Sequence, residues 1–244
     1  MSSPHGLAIY SRFVISLTHR TIQTPVHVQT TAVANSAGPD STCLLFLLLR
    51  MINWKQENKV RDGPDLPDTI LSLHVNHNLQ DDAEKMAYAS GKAATRFKAV
   101  HSGLRIPWGE PPFPSRPRIG TDAGAGEAIE SVARTARYQL MFDAMVRRRV
   151  HVLATGHHAD DQIETVLMRL GSGSSVLGLG GMRPVRRFGM AMGKDEDNFG
   201  WFGHEGLDRW IVRPLLDIPK VRLPSFFWPL LLLLLRERMT DCVR

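Results

Sequence analysis

The feature that most constrains this chain is a regular alternation of strand-like and helix-like segments. Short stretches rich in β-branched and apolar residues occupy residues 26–34, 69–75 and 150–155. Apolar residues recur with helical spacing over residues 41–53, 82–97, 127–149 and 159–170. Strands joined by helices of this length predict an α/β fold, a parallel sheet with helices on both faces. Ligands of such sheets bind at the carboxyl ends of the strands.

Size and composition exclude several classes of protein. A length of 244 residues suits one large domain or one domain with an appendage. With 43% hydrophobic and 22% charged residues, the chain is neither disordered nor collagen-like. Its two cysteines, Cys43 and Cys242, exclude a disulfide scaffold or a CxxC site built from this chain alone, and they suit a reducing compartment.

A segment rich in turn-forming residues interrupts the alternation. Residues 101–126 contain five prolines and five glycines, too many for a continuous helix or strand. We therefore interpret residues 101–126 as a surface insertion that carries Arg105, Arg116 and Arg118.

The two ends of the chain differ in composition from its middle. Residues 1–39 hold no acidic residue, two arginines and ten serines or threonines, a composition typical of an organelle transit segment. We expect a transit segment at residues 1–24, which leaves mitochondrial and cytoplasmic localisation open. Residues 226–235 are almost wholly apolar but too short to span a membrane, which takes about 20 residues, so we expect no membrane partner.

Positive charge is concentrated in one stretch of the chain. The net charge is +6, and residues 91–150 hold 11 Lys or Arg against 5 Asp or Glu. A local basic surface of this kind attracts a polyanion such as RNA or a nucleotide. The alternative is a solvated basic face without a ligand.

The first motif with chemical meaning lies between a predicted strand and a predicted helix. It consists of Ser36, Ala37, Gly38, Pro39, Asp40 and Ser41. Small residues allow the backbone to approach an anion, and the N–H groups of a first helical turn favour negative charge. The motif therefore predicts a phosphate-binding loop. The alternative is a tight turn in which Ser41 caps the helix.

The second motif, ATGHHADDQIET at residues 154–165, also follows a strand and opens a helix. Asp160 and Glu164 share one face of that helix, and Asp161 lies beside them. Such carboxylates can hold Mg²⁺ or bind the ammonium group of a substrate. Alternatively, Asp161 caps the helix, and the two histidines of the motif are packed core residues. The apolar residues of the helix are expected to face the core: Ile163, Leu167 and Leu170.

Taken in chain order, the motifs resemble those of the tRNA(Ile)-lysidine synthases of the ATP-pyrophosphatase superfamily. The matching segments are SAGPDS at 36–41, HVNHNLQ at 74–80, ARTARYQL at 133–140, ATGHHADDQIETVLMRL at 154–170, GLGGM at 178–182 and RPLLDIPK at 213–220. The resemblance implies an adenine nucleotide alpha hydrolase-like (Rossmann-like) sheet and a PP-loop ATP-binding catalytic domain at residues 25–223. Residues 224–244 match no part of the family pattern, so we expect a form truncated at its C-terminus.

The resemblance implies a ligase reaction in two steps. ATP adenylates the C2 oxygen of the wobble cytidine in an isoleucine tRNA with a CAU anticodon, and pyrophosphate leaves. The amine of free lysine then displaces AMP, which gives lysidine. The implied cofactors are ATP and Mg²⁺, the implied partners are the tRNA and lysine, and a homodimer is left open.

The resemblance also implies roles for the motif residues. The phosphate loop and His157 are implied to bind the nucleotide, with Asp40 and Asp160 near Mg²⁺. Asp160, Asp161 and Glu164 are implied to bind lysine or the metal, without a division between them.

Two arginines precede the second motif on one predicted helix. Arg134 and Arg137 lie three residues apart on one face, with Glu130 one turn before Arg134, which suits a phosphate or nucleotide clamp. The alternative is a surface face of salt bridges, which contributes little to stability.

Five positions depart from the family pattern. Ala37 replaces the second glycine of SGGxDS, Asn76 replaces the aspartate of HVDH, and Lys220 replaces an arginine. Ser172 and Ser175 replace the arginine and the final glycine of an RGSG segment before GLGGM. If position 37 needs a positive φ, alanine strains the loop by about 1 kcal/mol. Two other classes stay open: another PP-loop enzyme that acts on tRNA, such as a thiolase, and an inactive fragment that binds nucleotides or RNA.

Overall fold

The computed structural model describes residues 29–57, 66–117, 125–173, 180–188 and 202–220. The expected transit segment at 1–24 and the apolar tail at 224–244 lie outside these ranges. In the described residues the strands are β1 Thr30–Ala34, β2 Thr69–Asn76, β3 Val100–Arg105, β4 Val152–Ala154, β5 Val185–Arg187 and β6 Trp210–Val212. The α-helices there are α1 Pro39–Glu57, α2 Ala83–Arg96, α3 Ala125–Arg147 and α4 Ala159–Gly171.

The strands form one sheet in the order β3-β2-β1-β4-β6-β5. Neighbouring strands are parallel, except that β5 is antiparallel to β6. The predicted parallel sheet is therefore confirmed for five strands, and the antiparallel strand β5 is a correction. β5 and β6 have three residues each, too few for a periodic pattern in the sequence to reveal them.

Helices cover both faces of the sheet, as predicted. Val33 of β1 packs in one apolar cluster with Leu44 and Leu48 of α1, whereas its neighbour Ala32 belongs to a second cluster with Met145 of α3. Because successive strand residues point to opposite faces, α1 and α3 lie on opposite faces. Within the described ranges, no helix combines the length and apolarity that a membrane crossing needs.

The order of the strands reverses between β1 and β4. From β1 the chain adds β2 and β3 on one side, and it then crosses through α3 to β4 on the other side of β1. Such a reversal leaves a crevice at the carboxyl ends of the two strands. The phosphate loop follows β1 and the second motif follows β4, so both motifs lie at this crevice.

The predicted surface insertion at residues 101–126 is wrong in part. Strand β3 occupies its first residues and pairs along β2 from Leu71 to Asn76, and α3 begins at Ala125. All five prolines of the segment follow residue 106, so none of them obstructs the strand. As an edge strand, β3 has no buried residue, and it therefore lacks the apolar alternation that would have revealed it.

Helix α4 is more exposed than predicted. Ile163, Leu167 and Leu170 are 60%, 61% and 52% exposed, so the expectation that they face the core is wrong. The helix is held by a polar contact instead. The side-chain amide of Gln162 donates to the carbonyl of Met182 (3.0 Å) and accepts from its N–H (2.6 Å). This contact links the second motif to the described end of the GLGGM segment.

Candidate active site

The side chain of Asn35 organises the phosphate loop. Its Oδ1 accepts a hydrogen bond from the N–H of Ala37 (3.0 Å), and its Nδ2 donates to Oγ of Ser72 on β2 (3.1 Å). Asn35 is only 1% exposed, so these bonds are shielded from water and hold the loop against the sheet. Sequence reasoning missed Asn35, although its position directly before the run of small residues was an available signal.

The phosphate loop leads directly into the first turn of α1. The helix begins at Pro39, and proline suits a first helical position because its missing N–H would have no partner within the helix. Ser41 lies inside the helix, so the interpretation of Ser41 as its cap is wrong. Its Oγ accepts from the N–H of Ser36 (3.2 Å) and donates to the carbonyl of Gly38 (3.1 Å). The loop thus presents a helix N-terminus, which favours an anion.

Ala37 adopts a left-handed backbone conformation. Its φ is 65°, in the region that favours glycine because a Cβ atom crowds the following carbonyl. The condition stated for this position, a positive φ, is therefore met, and alanine strains the loop by about 1 kcal/mol.

Replacing Ala37 with glycine is expected to release the strain of about 1 kcal/mol, divided between a higher stability of the protein and ATP binding tighter by at most about fivefold. Glycine lets the loop populate its binding conformation without strain. Thermal denaturation and calorimetric titration with ATP measure the two effects. The matched control is Arg149→Gly, since Arg149 has a φ of 54° at the end of α3. It should gain stability without a change in ATP affinity. Unchanged ATP affinity in the Ala37 variant would show that the loop tolerates alanine.

The turn between β4 and α4 crosses closely over the start of α1. A Cβ atom at Gly156 would lie 3.0 Å from the backbone nitrogen of Ser41 and 3.1 Å from the carbonyl carbon of Asp40. Only glycine permits this approach without displacing one of the two backbones. Beside it, Oγ1 of Thr155 forms a hydrogen bond with Nδ1 of His157 (2.9 Å). The close approach places the two motifs in one site.

A reciprocal cap closes the first turn of α4. The N–H of His158 donates to Oδ2 of Asp161 (2.8 Å), and the N–H of Asp161 donates to Nδ1 of His158 (3.3 Å). The interpretation of Asp161 as part of the helix cap is therefore confirmed. His158 is 2% exposed, so the alternative interpretation of this histidine as a packed core residue is confirmed. Asp161 also lines the cleft, so its capping role leaves ligand binding open.

The predicted cluster of three acids is only partly brought together. Asp161 lines the cleft, whereas Asp160 and Glu164 are exposed on α4 and do not line it. Oδ1 of Asp160 lies 3.5 Å from the backbone nitrogen of Lys220. The ammonium group of Lys220 lies 3.7 Å from Oδ2 of Asp40. Asp160 and Asp40 therefore flank the same lysine at the edge of the site.

His157 lies among arginines. Burial lowers its pKa to about 4, with Arg213 as the next cause and smaller contributions from Arg134 and Arg137, while Asp161 opposes the shift. Burial also lowers the pKa of Arg213 to about 10. A cluster of partly desolvated, positively charged guanidinium groups favours binding of an anion, and the geometry of a phosphate group matches that of guanidinium. Sequence reasoning identified two of these arginines and missed Arg213, the first residue of RPLLDIPK.

The low pKa of His157 predicts that the protein loses stability as the pH falls from 6.5 towards 4. Below pH 6.5 the unfolded chain takes up a proton that the folded protein does not, so the free energy of unfolding falls. Between pH 7 and pH 5 this contribution amounts to about 2 kcal/mol. Urea denaturation of the wild type and His157→Gln at both pH values checks it. The variant should lose about 2 kcal/mol less, and an equal loss would contradict the neutral buried ring.

The two motifs border one cleft of about 250 Å³. The predicted site residues that line it are Ser36, Asp40, Ser41, Arg137, His157 and Asp161. Leu73, Val75 and Met86 add an apolar wall. Ala37, Gly38 and Pro39 belong to the same loop without lining the cleft, and Arg134 is exposed beside it. The cleft therefore combines an apolar wall, a helix N-terminus and positive charge.

The described residues offer a partial site for Mg²⁺. Among them, no group of three or more His, Cys, Asp or Glu side chains is placed to hold a metal ion. Mg²⁺ in nucleotide sites is commonly bound by one or two carboxylates together with substrate phosphates. Asp40, at the helix N-terminus, meets this requirement, so the residues fit a metal that binds with a nucleotide.

Asn76, which replaces a family aspartate, forms hydrogen bonds through both the nitrogen and the oxygen of its amide. Its Nδ2 donates to Oε1 of Glu84 (3.0 Å), and its Oδ1 accepts from the N–H of Asn78 (2.7 Å). An aspartate here would bring a second carboxylate against Glu84, an unfavourable like-charge contact. The local partners therefore suit the amide.

The basic stretch of residues 91–150 does not form one surface, contrary to expectation. Arg137 lines the cleft, and Arg116 donates to the carbonyl of Asn78 beyond the end of β2 (2.5 Å). Other members are the last residues of α2 and α3 or lie just after these helices, before β3 and β4, at the opposite end of the strands from the cleft. They are Arg96, Lys98, Arg147, Arg148 and Arg149. Charge near the cleft is thus contributed by only part of the stretch.

Two curated relatives show the similarity of this chain to known proteins. The tRNA(Ile)-lysidine synthase of Ralstonia nicotianae is 33% identical over 193 residues, which cover 79% of this chain and 33% of that protein. The tRNA(Ile)-lysidine synthase of Methylobacterium nodulans is 35% identical over 191 residues, which cover 78% of this chain and 43% of that protein. The chain spans less than half the length of either relative.

A solved structure and a family match complete the comparison. The U34-tRNA thiolase NcsA from Methanococcus maripaludis superposes with a TM-score of 0.54 at 16% identity, covering 87% of this chain and 62% of that one. This likeness confirms the predicted adenine nucleotide alpha hydrolase-like fold. The PP-loop domain matches residues 15–228, a range that contains both motifs and every strand described here. The chain therefore belongs to the PP-loop domain family.

Proposed function

We propose that this chain carries the catalytic site for attachment of lysine to the wobble cytidine of an isoleucine tRNA at the expense of ATP. The carrying observation is that the phosphate loop after β1 and the turn after β4 meet in one cleft. The curated relatives that share these segments are named tRNA(Ile)-lysidine synthase. Because the chain spans less than half of those relatives, the proposal for tRNA is limited to contacts around the reacting base.

ATP binds in the cleft with its phosphates at the start of α1. The N-terminus of α1 and the hydroxyl group of Ser36 face the phosphates, while the hydroxyl group of Ser41 holds the loop in shape. The apolar wall at Val75 and Met86 suits the adenine ring. Asp40, together with the phosphates, would hold Mg²⁺, which would supply positive charge to the leaving pyrophosphate.

The reaction consists of two displacements. In the first, the C2 oxygen of cytidine bonds to the α-phosphorus of ATP, and the bond to the bridging oxygen of pyrophosphate breaks. In the second, the lysine amine bonds to C2, the C2–O bond breaks, AMP leaves and the nitrogen loses a proton. Both steps place negative charge on phosphoryl oxygens. Arg137, which lines the cleft, stabilises that charge, and Arg213 adds to the positive field around His157.

Asp161 is the acid placed to bind the ammonium group of lysine, since among the acids of α4 it alone lines the cleft. Asp161→Asn retains an oxygen that can accept the cap hydrogen bond from His158 and removes the charge. We expect a lysine KM at least about tenfold higher, equal to about 1.4 kcal/mol, with little change in Tm. Normal kinetics combined with a lower Tm would limit Asp161 to its role in the cap.

The alternative of a tRNA thiolase finds no support at Cys43. This residue is 1% exposed, and burial, followed by the charge of Asp40, raises the pKa of its thiol to about 12. A thiol that stays protonated is a poor nucleophile. The other cysteine, Cys242, lies outside the described residues.

Steady-state release of pyrophosphate tests the proposed function. The full 244-residue chain is incubated with ATP and Mg²⁺, with lysine and isoleucine tRNA present, or with either one omitted. We expect sustained release only when both are present. Sustained release without lysine, beyond the single turnover of adenylation, would indicate another PP-loop activity on tRNA. Binding of ATP without any release would indicate the inactive nucleotide-binding fragment.

A further inference from the structure

His158 lies between the two carboxylates of the site without lining the cleft itself. Its side chain is 3% exposed, with Nε2 at 3.6 Å from Oδ2 of Asp40. Its Nδ1 accepts from the backbone N–H of Asp161 (3.3 Å). His158 therefore connects the first turn of α4 to the first turn of α1, the elements that follow the two motifs.

The cap determines which ring nitrogen of His158 carries the proton. A backbone N–H can only donate, so the cap assigns Nδ1 as an acceptor and Nε2 as the donor towards Asp40; Oδ2 of Asp161, 3.4 Å from Nδ1, already accepts from the N–H of His158 at 2.8 Å. The carboxylate of Asp40 is an acceptor. At 3.6 Å the contact is longer than a hydrogen bond, and contacts of this kind in active sites often tighten when substrate binds.

We propose that His158 is a positioning residue that orients the carboxylate of Asp40 for Mg²⁺-ATP and couples the phosphate loop to helix α4. The inference rests on the proposed function only in that Asp40 acts at the phosphates of ATP. Groups that orient a metal-binding side chain typically change metal affinity or activity by about 10- to 100-fold when removed. Asp40 has a second neighbour, the ammonium group of Lys220 at 3.7 Å, but the side chain of Lys220 is 55% exposed and holds the carboxylate less rigidly.

Two substitutions separate orientation of Asp40 from capping of the helix. His158→Asn keeps an oxygen near the position of Nδ1 and is a good helix cap, but it cannot reach Asp40. His158→Gln places an N–H near the position of Nε2 and is a poorer cap. Lys220→Met is the matched control that removes the other neighbour of Asp40. Calorimetric titration of the full chain with ATP over a range of Mg²⁺ concentrations gives the apparent Mg²⁺ affinity, and thermal denaturation gives Tm.

We expect His158→Asn to keep its Tm and to lose about tenfold or more in apparent Mg²⁺ affinity. His158→Gln should regain most of that affinity at a lower Tm, and Lys220→Met should lose less than His158→Asn. Wild-type Mg²⁺ dependence in His158→Asn would overturn the inference. Equal losses of affinity in the two His158 variants would also overturn it, because they would limit His158 to the cap.

A spectroscopic test separates this inference from the proposed function. Long-range ¹H–¹⁵N spectra of the imidazole rings, recorded on the full chain without ATP, identify the tautomer of His158, and the spectrum of His158→Asn assigns its signal. We expect the Nε2–H tautomer and a shift of its signal in Asp40→Asn. The Nδ1–H tautomer, or no shift, would overturn the inference. Failure of the wild type to bind ATP would overturn the proposed function and leave this spectroscopic result to stand by itself.

Discussion

Replacing Asp40 with alanine is expected to lower the rate of adenylation by about 100- to 1000-fold, the range seen when one group that stabilises developing charge is removed. Asp40 lines the cleft at the start of α1, where it is the carboxylate nearest the proposed phosphates. Its side chain is 26% exposed and contributes no apolar packing, so the fold should remain intact. The rate is measured as the first turnover of pyrophosphate release with isoleucine tRNA.

Asp208→Ala is the matched control for this variant. It removes the same charge from an exposed position before β6, at the opposite edge of the sheet from the cleft. The control should adenylate at the wild-type rate. If Asp40→Ala had an unchanged Tm and released pyrophosphate at the wild-type rate, the role of Asp40 and its loop in binding the ATP phosphates would be contradicted.

Gly156→Ala is expected to weaken ATP binding by about tenfold or more and to destabilise the protein by about 1 to 3 kcal/mol. The new methyl group would meet the backbone of Ser41 and Asp40 at 3.0 to 3.1 Å. Backbone atoms cannot rotate away as the end of a flexible side chain can, so the loop and the turn must separate. The separation would move the N-terminus of α1 away from the second motif.

Gly171→Ala, at the end of α4, provides the control for Gly156→Ala. A Cβ atom at Gly171 would have no heavy atom within 4 Å, and alanine favours a helix more than glycine does. Its stability should be unchanged or higher, and its ATP affinity should equal that of the wild type. ATP titration and urea denaturation of both variants decide the matter. Equal ATP affinity in Gly156→Ala would show that the two motifs can move apart without consequence.

Local features of the chain predicted most of its helices and the position of the site. The helices expected at residues 41–53 and 159–170 occur as Pro39–Glu57 and Ala159–Gly171, and the strand expected at 69–75 occurs as Thr69–Asn76. Each depends on residues that are neighbours in sequence: apolar periodicity, turn-forming residues and small residues before a helix. The same local patterns placed both motifs at strand ends, because a strand followed by a helix must end there.

Contacts between distant residues decided what local patterns could not. Edge strand β3 and antiparallel strand β5 depend on their partners, since pairing rather than composition stabilises strands of that kind. The prediction for α4 was wrong because a helical stripe of apolar residues shows only where a core could form. The hydrogen bonds of Gln162 determine which side of the helix packs against the rest of the protein.

The composition of the site also depended on tertiary structure. Asp160, Asp161 and Glu164 lie within five residues of each other in sequence, yet only Asp161 lines the cleft. The approach of Gly156 to Ser41 joins segments more than a hundred residues apart. Local sequence determines the conformations that a segment favours, and the packing of the sheet determines which side chains of those segments meet. The chemistry of the motifs could therefore be predicted from the sequence. Their grouping around one cleft was decided by the tertiary structure, because β1 and β4 are neighbours in the sheet.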